Sequence, residues 1–243
     1  MLIYGINPVL EALRAKRVNT VRVSERAGGR LADVVAAAER AGVPILRASP
    51  ADLDRAVGGG ARGRHQGVVA ELQESAKVEL RELIAGAAGA PLIVVLDGIE
   101  DPHNVGAILR TVDAAGADGV VRQTRHAAAL GGAAAKASAG AVSHVRIADV
   151  VNIARALEEL KACGVWTVGL AGDVKKRYDE IDLTLPTAVV VGAEGTGLRR
   201  LVRERCDWIA SIPMHGHVQS LNVSVATGIM VFEALRQRRF PHG

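Results

Sequence analysis

Aromatic residues make up only 2% of the 243-residue chain, two each of Trp, Tyr and Phe. Holding a single strand chiefly by base stacking requires more, so any contact with a polynucleotide is expected to rest on shape and on the backbone. Cysteine is equally scarce. Cys163 and Cys206 stand alone with no CxxC spacing, which argues against a disulfide scaffold or a zinc site and predicts buried, inert thiols. No apolar run reaches the roughly 18 residues of a membrane span, because Lys136 interrupts the Ala/Gly-rich stretch around it. The opening residues MLIYGINPVLEALRAKR lack a signal-peptide layout, and the expectation is a cytoplasmic protein without a membrane segment.

What is present is a chain 49% hydrophobic, enough to bury a sizeable core in one large or two small domains. Net charge is +4 and the sequence pI is near 9.4. The basic residues cluster: Arg14, Lys16, Arg17, Arg22 and Arg26 early, Arg62, Arg64 and His65 in a Gly-rich loop, Lys175, Lys176 and Arg177 later. Such patches favour a phosphate-rich partner, although a solvated basic face has the same composition.

Segments of β length alternate with helical patterns. TVRV, VPIL and GVVAEL read as strands, with LADVVAAAERAG and ADLDRAV as helices, making residues 1–75 a small α/β unit. Residues 76–90 read as a charged linker running into a short helix. PLIVVLDGI then opens a second domain, 91–243, with an apolar strand of the kind buried on both faces of a parallel sheet. Further strands are expected at 119–121, 144–147, 165–170, 187–192 and 208–212. The alternation predicts a mainly parallel α/β sheet covered by helices, with ligands beyond the carboxyl ends of its strands. The loops after Leu96, Leu170, Val191 and Ile212 are therefore where chemistry is sought.

In DGIEDPHNVGAILRTVDAAGADG, Asn104 stands at an expected N-cap, and Val105, Ile108, Leu109 and Val112 share one helix face. Arg110 points roughly 150° from the centre of that stripe. The pair suits either a capped, solvated helix or a cleft lip that grips an anion. GAEGTGLRR after Val191 matches neither GxGxxG nor GxxxxGK[ST], so the dinucleotide and P-loop readings fail. Glu194 within it would repel phosphates and suits a cationic or hydroxyl-bearing ligand. In IPMHGHVQSLNVSVATG, a helix is expected to start at Ser220 or Asn222, with Val225, Ile229, Phe232 and Leu235 on its buried stripe and Met230 on the flank. His215 and His217 lack the further ligands a metal needs, and no metal is expected.

Together, NVGAILRTVDAAG, VVVGAEGTGLR and IPMHGHVQSLNVSVATGIMVFEALRQR resemble the three motifs of the SpoU, or TrmH, family of RNA ribose 2′-O-methyltransferases, in the wider SPOUT class. YGINPVLEAL and RHQGVVAEL are similar to the small L30e-like RNA-binding domain of the branch that methylates a guanosine of 23S ribosomal RNA. The resemblance spans essentially the whole chain. It implies a deep trefoil knot in the C-terminal domain, a homodimer, and S-adenosylmethionine as cofactor near Leu170, Gly192, Glu194, Gly195, Ile212, Met214 and Leu221. It further implies catalytic roles for Asn104, Arg110, Glu194, Ser220 and Asn222. A guanidinium stays charged and has no acceptor site, so Arg110 is better suited to stabilising a developing alkoxide, or holding the adjacent phosphate, than to acting as a base. A tRNA ribose methyltransferase of the same family would carry the same motifs, and a non-catalytic RNA-binding protein or a nicotinamide-dependent enzyme are the alternatives from other classes. The intact Asn104, Arg110, Glu194 and Asn222 weigh against the second, the missing GxGxxG against the third.

Overall fold

The structure is a computed structural model that describes residues 1–25, 28–58, 65–73, 78–125 and 127–239; Arg26, Arg62 and Arg64 of the predicted basic clusters lie outside the described residues. The chain divides into two compact units. The first holds Met1–Ala76, Val105–Arg110 and Ala129–His144, and the second holds Lys77–Asn104, Thr111–Ala128 and Val145–Gly243.

In the first unit, strands β1 (Leu2–Tyr4), β2 (Val18–Ser24), β3 (Ile45–Ala48) and β4 (Val68–Leu72) form a sheet in the order β1-β4-β2-β3. β4 runs antiparallel to β1 and β2, while β2 and β3 are parallel and joined through helix α2 (Arg30–Arg40). The helices α1 (Ile6–Arg14) and α3 (Pro50–Val57) complete it, α3 being capped by Ser49, whose side chain accepts from the Asp52 amide. Ile3, Val9, Val21, Leu53 and Val69 are fully buried. The predicted strands and helices of this region are present, and β1 is an addition too short for a periodicity to reveal.

Helix α5 (Pro102–Ala115) contributes its middle to this unit, where it meets α6 (Gly132–Ala137). A Cβ on Gly106 would stand 2.5 Å from both the Ala134 carbonyl oxygen and the Ala137 Cβ, and one on Gly131 would stand 2.7 Å from the Leu2 carbonyl oxygen. The alanine and glycine of ALGGAAAKASAG are thus what so close an approach of backbones demands.

The second unit is built on β5 (Leu92–Asp97), β6 (Gly119–Gln123), β7 (Ile147–Val150), β8 (Trp166–Leu170), β9 (Thr187–Gly192) and β10 (Trp208–Ala210). Their order is β10-β8-β9-β5-β6-β7, and every neighbouring pair is parallel. β5 is buried at all of its positions, as a strand covered on both faces must be. Ile93, Val95, Val121 and Val190 pack with α4 (Leu80–Ala85), α7 (Ile153–Ala162) and α8 (Arg200–Arg205) through Leu83, Leu157, Leu160 and Val202. The segment expected to be a linker therefore places α4 in this core, and Arg146 donates to the Glu82 carbonyl at 2.7 Å. The strand expected at 144–147 begins only at Ile147.

Two expectations about helices need correction. α5 is capped by Asp101, whose carboxylate accepts from the His103 amide, with Pro102 in the first turn, so Asn104 lies inside the helix. The closing helix α9 (Val223–Arg239) buries Val223, Thr227, Met230, Val231, Ala234 and Gln237. Val225 and Phe232 of the predicted core stripe are instead 50% and 51% exposed. The polar members of the buried face are satisfied locally: Thr227 donates to the Val223 carbonyl at 2.7 Å, and Gln237 accepts from the Leu183 amide at 2.8 Å while donating to the Ile181 carbonyl at 3.1 Å. Arg238 donates to the carbonyls of Ala90, Pro91, Leu183 and Leu185, and its burial lowers its pKa. Cys206 is a half-buried thiol whose pKa is pushed up to about 12, by burial first of all, in keeping with an inert side chain.

Candidate active site

The carboxyl ends of β5, β9, β8 and β10 lie side by side: Asp97 is paired with Gly192, and Leu170 with Ala210. From them leave the loops that carry most of the sequence-predicted site residues. The loop after β9 turns back on itself, the Gly197 amide donating to the Ala193 carbonyl at 2.8 Å. A Cβ on Gly192 would overlap the carbonyl group of Gly197, so the turn demands glycine there. Gly195 and Gly197 take positive φ values of 82° and 66°, which fold the loop so that Glu194 is exposed.

Asn222 is the centre of the arrangement. Its Nδ2 donates to Asn104 Oδ1 at 2.9 Å and to Glu194 Oε1 at 2.7 Å. Its Oδ1 accepts from the Ser224 amide at 2.9 Å and the Ser224 hydroxyl at 2.6 Å, which caps α9. One carboxamide thus starts a helix and ties the first turn of α5 to the loop after β9. Asn104 is 7% exposed, so its carbonyl depends on this bond, while Glu194 and Asn222 face solvent.

The other predicted residues fall less centrally. Ser220 is exposed and its side chain makes no hydrogen bond among the described residues; Arg110 is exposed on α5, its side chain likewise without a hydrogen bond or ion pair among them. Leu170, Gly192, Ile212, Met214 and Leu221 are all half-buried, with His215 and His217 exposed beyond them. Among the described residues no three His, Cys, Asp or Glu side chains cluster as metal ligands.

A cleft of ≈ 530 Å³ opens beside this triad, lined by Asp97, Asn104, Glu194, Thr196, Arg199 and Val223 among others. Asp97 and Arg199 are functional candidates that sequence reasoning passed over. Asp97 accepts from the Arg199 amide at 2.8 Å and from its Nε at 2.6 Å. The available signal was a lone carboxylate closing an otherwise continuous apolar strand, at the end of the sheet where ligands bind.

Comparison with known proteins now bears on this geometry. Residues 91–232 match the SpoU rRNA Methylase family, and residues 2–78 match the domain described as RNA 2′-O ribose methyltransferase substrate binding. The chain belongs to the SpoU rRNA methylase family. Among its relatives is the 23S rRNA (guanosine-2′-O-)-methyltransferase RlmB of Pseudomonas putida, 44% identical over 98% of this chain and 96% of that protein. An S-adenosylmethionine-bound rRNA methyltransferase from Sinorhizobium meliloti superposes with a TM-score of 0.80 at 27% identity, covering 97% of this chain and 87% of its own. The SpoU methyltransferase AviRb from Streptomyces viridochromogenes shares the fold, with a TM-score of 0.82 at 24% identity over 98% of this chain and 90% of its own. In this SpoU methylase the three motifs converge, through Asn104, Glu194 and Asn222, on one point at the carboxyl ends of the sheet.

Proposed function

We propose that the protein transfers a methyl group from S-adenosylmethionine to the ribose 2′-hydroxyl of a guanosine in 23S ribosomal RNA. The observation that carries this reading is the carboxamide of Asn222 holding Asn104 and Glu194 together, in a chain 44% identical to an RlmB over nearly its whole length.

The donor set suits the cofactor. Leu170, Gly192, Ile212, Met214 and Leu221 are half-buried, and Gly195 is exposed next to Glu194. The Glu194 carboxylate matches a cationic ligand better than a phosphate. When bound, S-adenosylmethionine supplies an electrophilic methyl group to the ribose oxygen. The protein's own residues orient the acceptor and manage its charge. Asn222 fixes the Asn104 carboxamide and the Glu194 carboxylate, Ser220 joins them in the shell around Arg110, and Arg110 stabilises negative charge on the ribose oxygen as its proton leaves.

Residues 1–75 serve as the RNA-binding domain in this reading, linked through 76–90 to the catalytic domain 91–243, where the chain carries the family's trefoil knot. A homodimer completes the site. Its support is the exposed apolar face of α9, where Val225 and Phe232 flank the half-buried Ile229. No helix among the described residues is long and apolar enough to cross a membrane, and we place the enzyme in the cytoplasm, where its RNA is.

The test is transfer of labelled methyl groups to unmodified 23S rRNA and, in parallel, to unmodified tRNA, with the labelled nucleotide mapped. Label on a 23S guanosine ribose is expected. Label on tRNA alone would overturn the substrate and keep the chemistry.

A further inference from the structure

We propose that Arg199 binds a phosphate of the RNA strand beside the target nucleotide, with Asp97 as the residue that positions it. The inference rests on the RNA methyltransferase reading above and assigns one further binding residue to it.

The side chain of Asp97 is 0% exposed. A carboxylate removed from water costs free energy that only pairing and hydrogen bonding offset. Arg199 supplies that compensation: its amide donates at 2.8 Å, its Nε at 2.6 Å, and its Nη2 lies 2.5 Å away. Nη2 also donates to Gln123 Oε1 at 2.8 Å, so the guanidinium is gripped from the ends of both β5 and β6.

This grip uses one edge of the guanidinium and leaves the other. Nη1 has no acceptor among the described residues, and the side chain is 50% exposed. Arg199 lines the cleft that Asn104 and Glu194 also line, and among the described residues lining it Arg199 is the only lysine or arginine. The other charged groups there are the carboxylates of Asp97, Glu100, Asp101 and Glu194. An RNA strand brought to such a cleft adds negative charge to negative charge. A cation fixed at that place relieves the repulsion and sets the strand's register.

Stability alone does not account for the pair. A buried ion pair is a weak stabiliser, and packed apolar residues do as well or better. What Asp97 gives that an apolar residue cannot is a planar guanidinium held in one orientation, so that its remaining Nη1 donors are fixed in place before a phosphate arrives. The competing role is a strut that only shapes the 193–199 loop.

The experiment is filter binding of in vitro transcribed 23S rRNA over a salt series, with S-adenosylmethionine binding by calorimetry alongside. Arg199→Gln is expected to weaken RNA binding about tenfold and to reduce the salt slope by about one unit, with cofactor affinity unchanged. Arg199→Lys keeps the slope and loses part of the affinity, since an ammonium cannot both hold Asp97 and Gln123 and present a further fixed donor. Asp97→Asn keeps the charge but frees it, so RNA affinity falls at constant slope. Should a variant at position 97 or 199 fail to fold, Gln123→Ala leaves the Asp97 pairing intact and removes only the second acceptor of Nη2, and a smaller fall in RNA affinity is expected. Unchanged RNA affinity and slope in Arg199→Gln, with weakened cofactor binding, would overturn the proposal in favour of the strut. A wild-type protein that binds RNA but transfers no methyl group would sink the activity reading while leaving the Arg199 comparison decisive by itself.

Discussion

Replacing Asn222 separates two roles that one carboxamide performs at once. Its Oδ1 caps α9 through Ser224, and its Nδ2 holds Asn104 and Glu194. Loss of an N-cap costs about 1 kcal/mol, which in a chain of this size lowers Tm by roughly 2–4 °C. Asn222→Ala should show that loss. Asn222→Ser keeps a capping oxygen and should unfold above Asn222→Ala by that amount. The bond to Glu194 lies in solvent, where water replaces it at little cost, whereas the bond to the buried Asn104 is lost equally in both variants and cancels from the comparison between them. They should dominate the rate instead. If each bond contributes about 1.4 kcal/mol to holding the site in its productive arrangement, loss of both lowers kcat/KM by about a hundredfold, equally in Ser and Ala. Asn222→Asp adds a harsher case: it caps as well as asparagine, yet sets a carboxylate against Glu194 Oε1 and Asn104 Oδ1, both acceptors, and should be the least active of the three although its cap is kept. The assays are thermal unfolding and methyl incorporation into 23S rRNA transcript. A serine variant as active as wild type would refute the bridging role and leave Asn222 a simple cap. A serine variant as unstable as alanine would refute the cap.

Three further outcomes are expected. Arg238→Met leaves the carbonyls of Ala90 and Leu183 without their donor, while Thr187 still donates to those of Pro91 and Leu185, and urea unfolding should show a loss of about 2 kcal/mol; an unchanged midpoint would mean that water reaches the two freed carbonyls. Phe232→Glu, on the exposed face of α9, should shift sedimentation from dimer to monomer and reduce methyl transfer with it, whereas a variant that stays dimeric would place the interface elsewhere. Burial acts to raise the Asp207 pKa, but the Thr167 hydroxyl and amide and the Lys161 ammonium outweigh it and the pKa is lowered. The folded value lies below the unfolded one, so the carboxylate stabilises the fold above the unfolded carboxylate range, and that contribution is lost as pH falls through the folded value. Asp207→Asn should accordingly flatten the acid limb of a Tm-against-pH curve while lowering Tm near neutrality, and a parallel, merely shifted curve would contradict the assignment.

The sheet of the second unit was legible because a parallel strand buried on both faces is written as a continuous apolar run, and LIVVLD and TAVVVG are such runs. The stripe of α5 was legible for a related reason: Val105, Ile108, Leu109 and Val112 are its apolar row and all are 1% exposed or less. α9 defeated the same reasoning because it carries two apolar rows. Val225 and Phe232 form one, Val223, Met230, Val231 and Ala234 the other, and periodicity is silent on which of two equivalent rows meets the core. The buried row also contains Thr227 and Gln237, which look like surface residues until their partners at Val223, Ile181 and Leu183 are known. At the start of α5, Asp101 followed by Pro102 was a stronger helix signal than Asn104, and its neglect misplaced the cap by three residues. The motif residues could be read because their types and order are characteristic. Their convergence could not, since Asn222 meets Asn104 across 118 residues of chain and Asp97 meets Arg199 across 102. The same limit explains why Asp97 is silent in the sequence: there it is the polar end of an apolar strand, and only the fold shows its carboxylate taken up by the backbone amide and the guanidinium of Arg199 at the edge of the cleft.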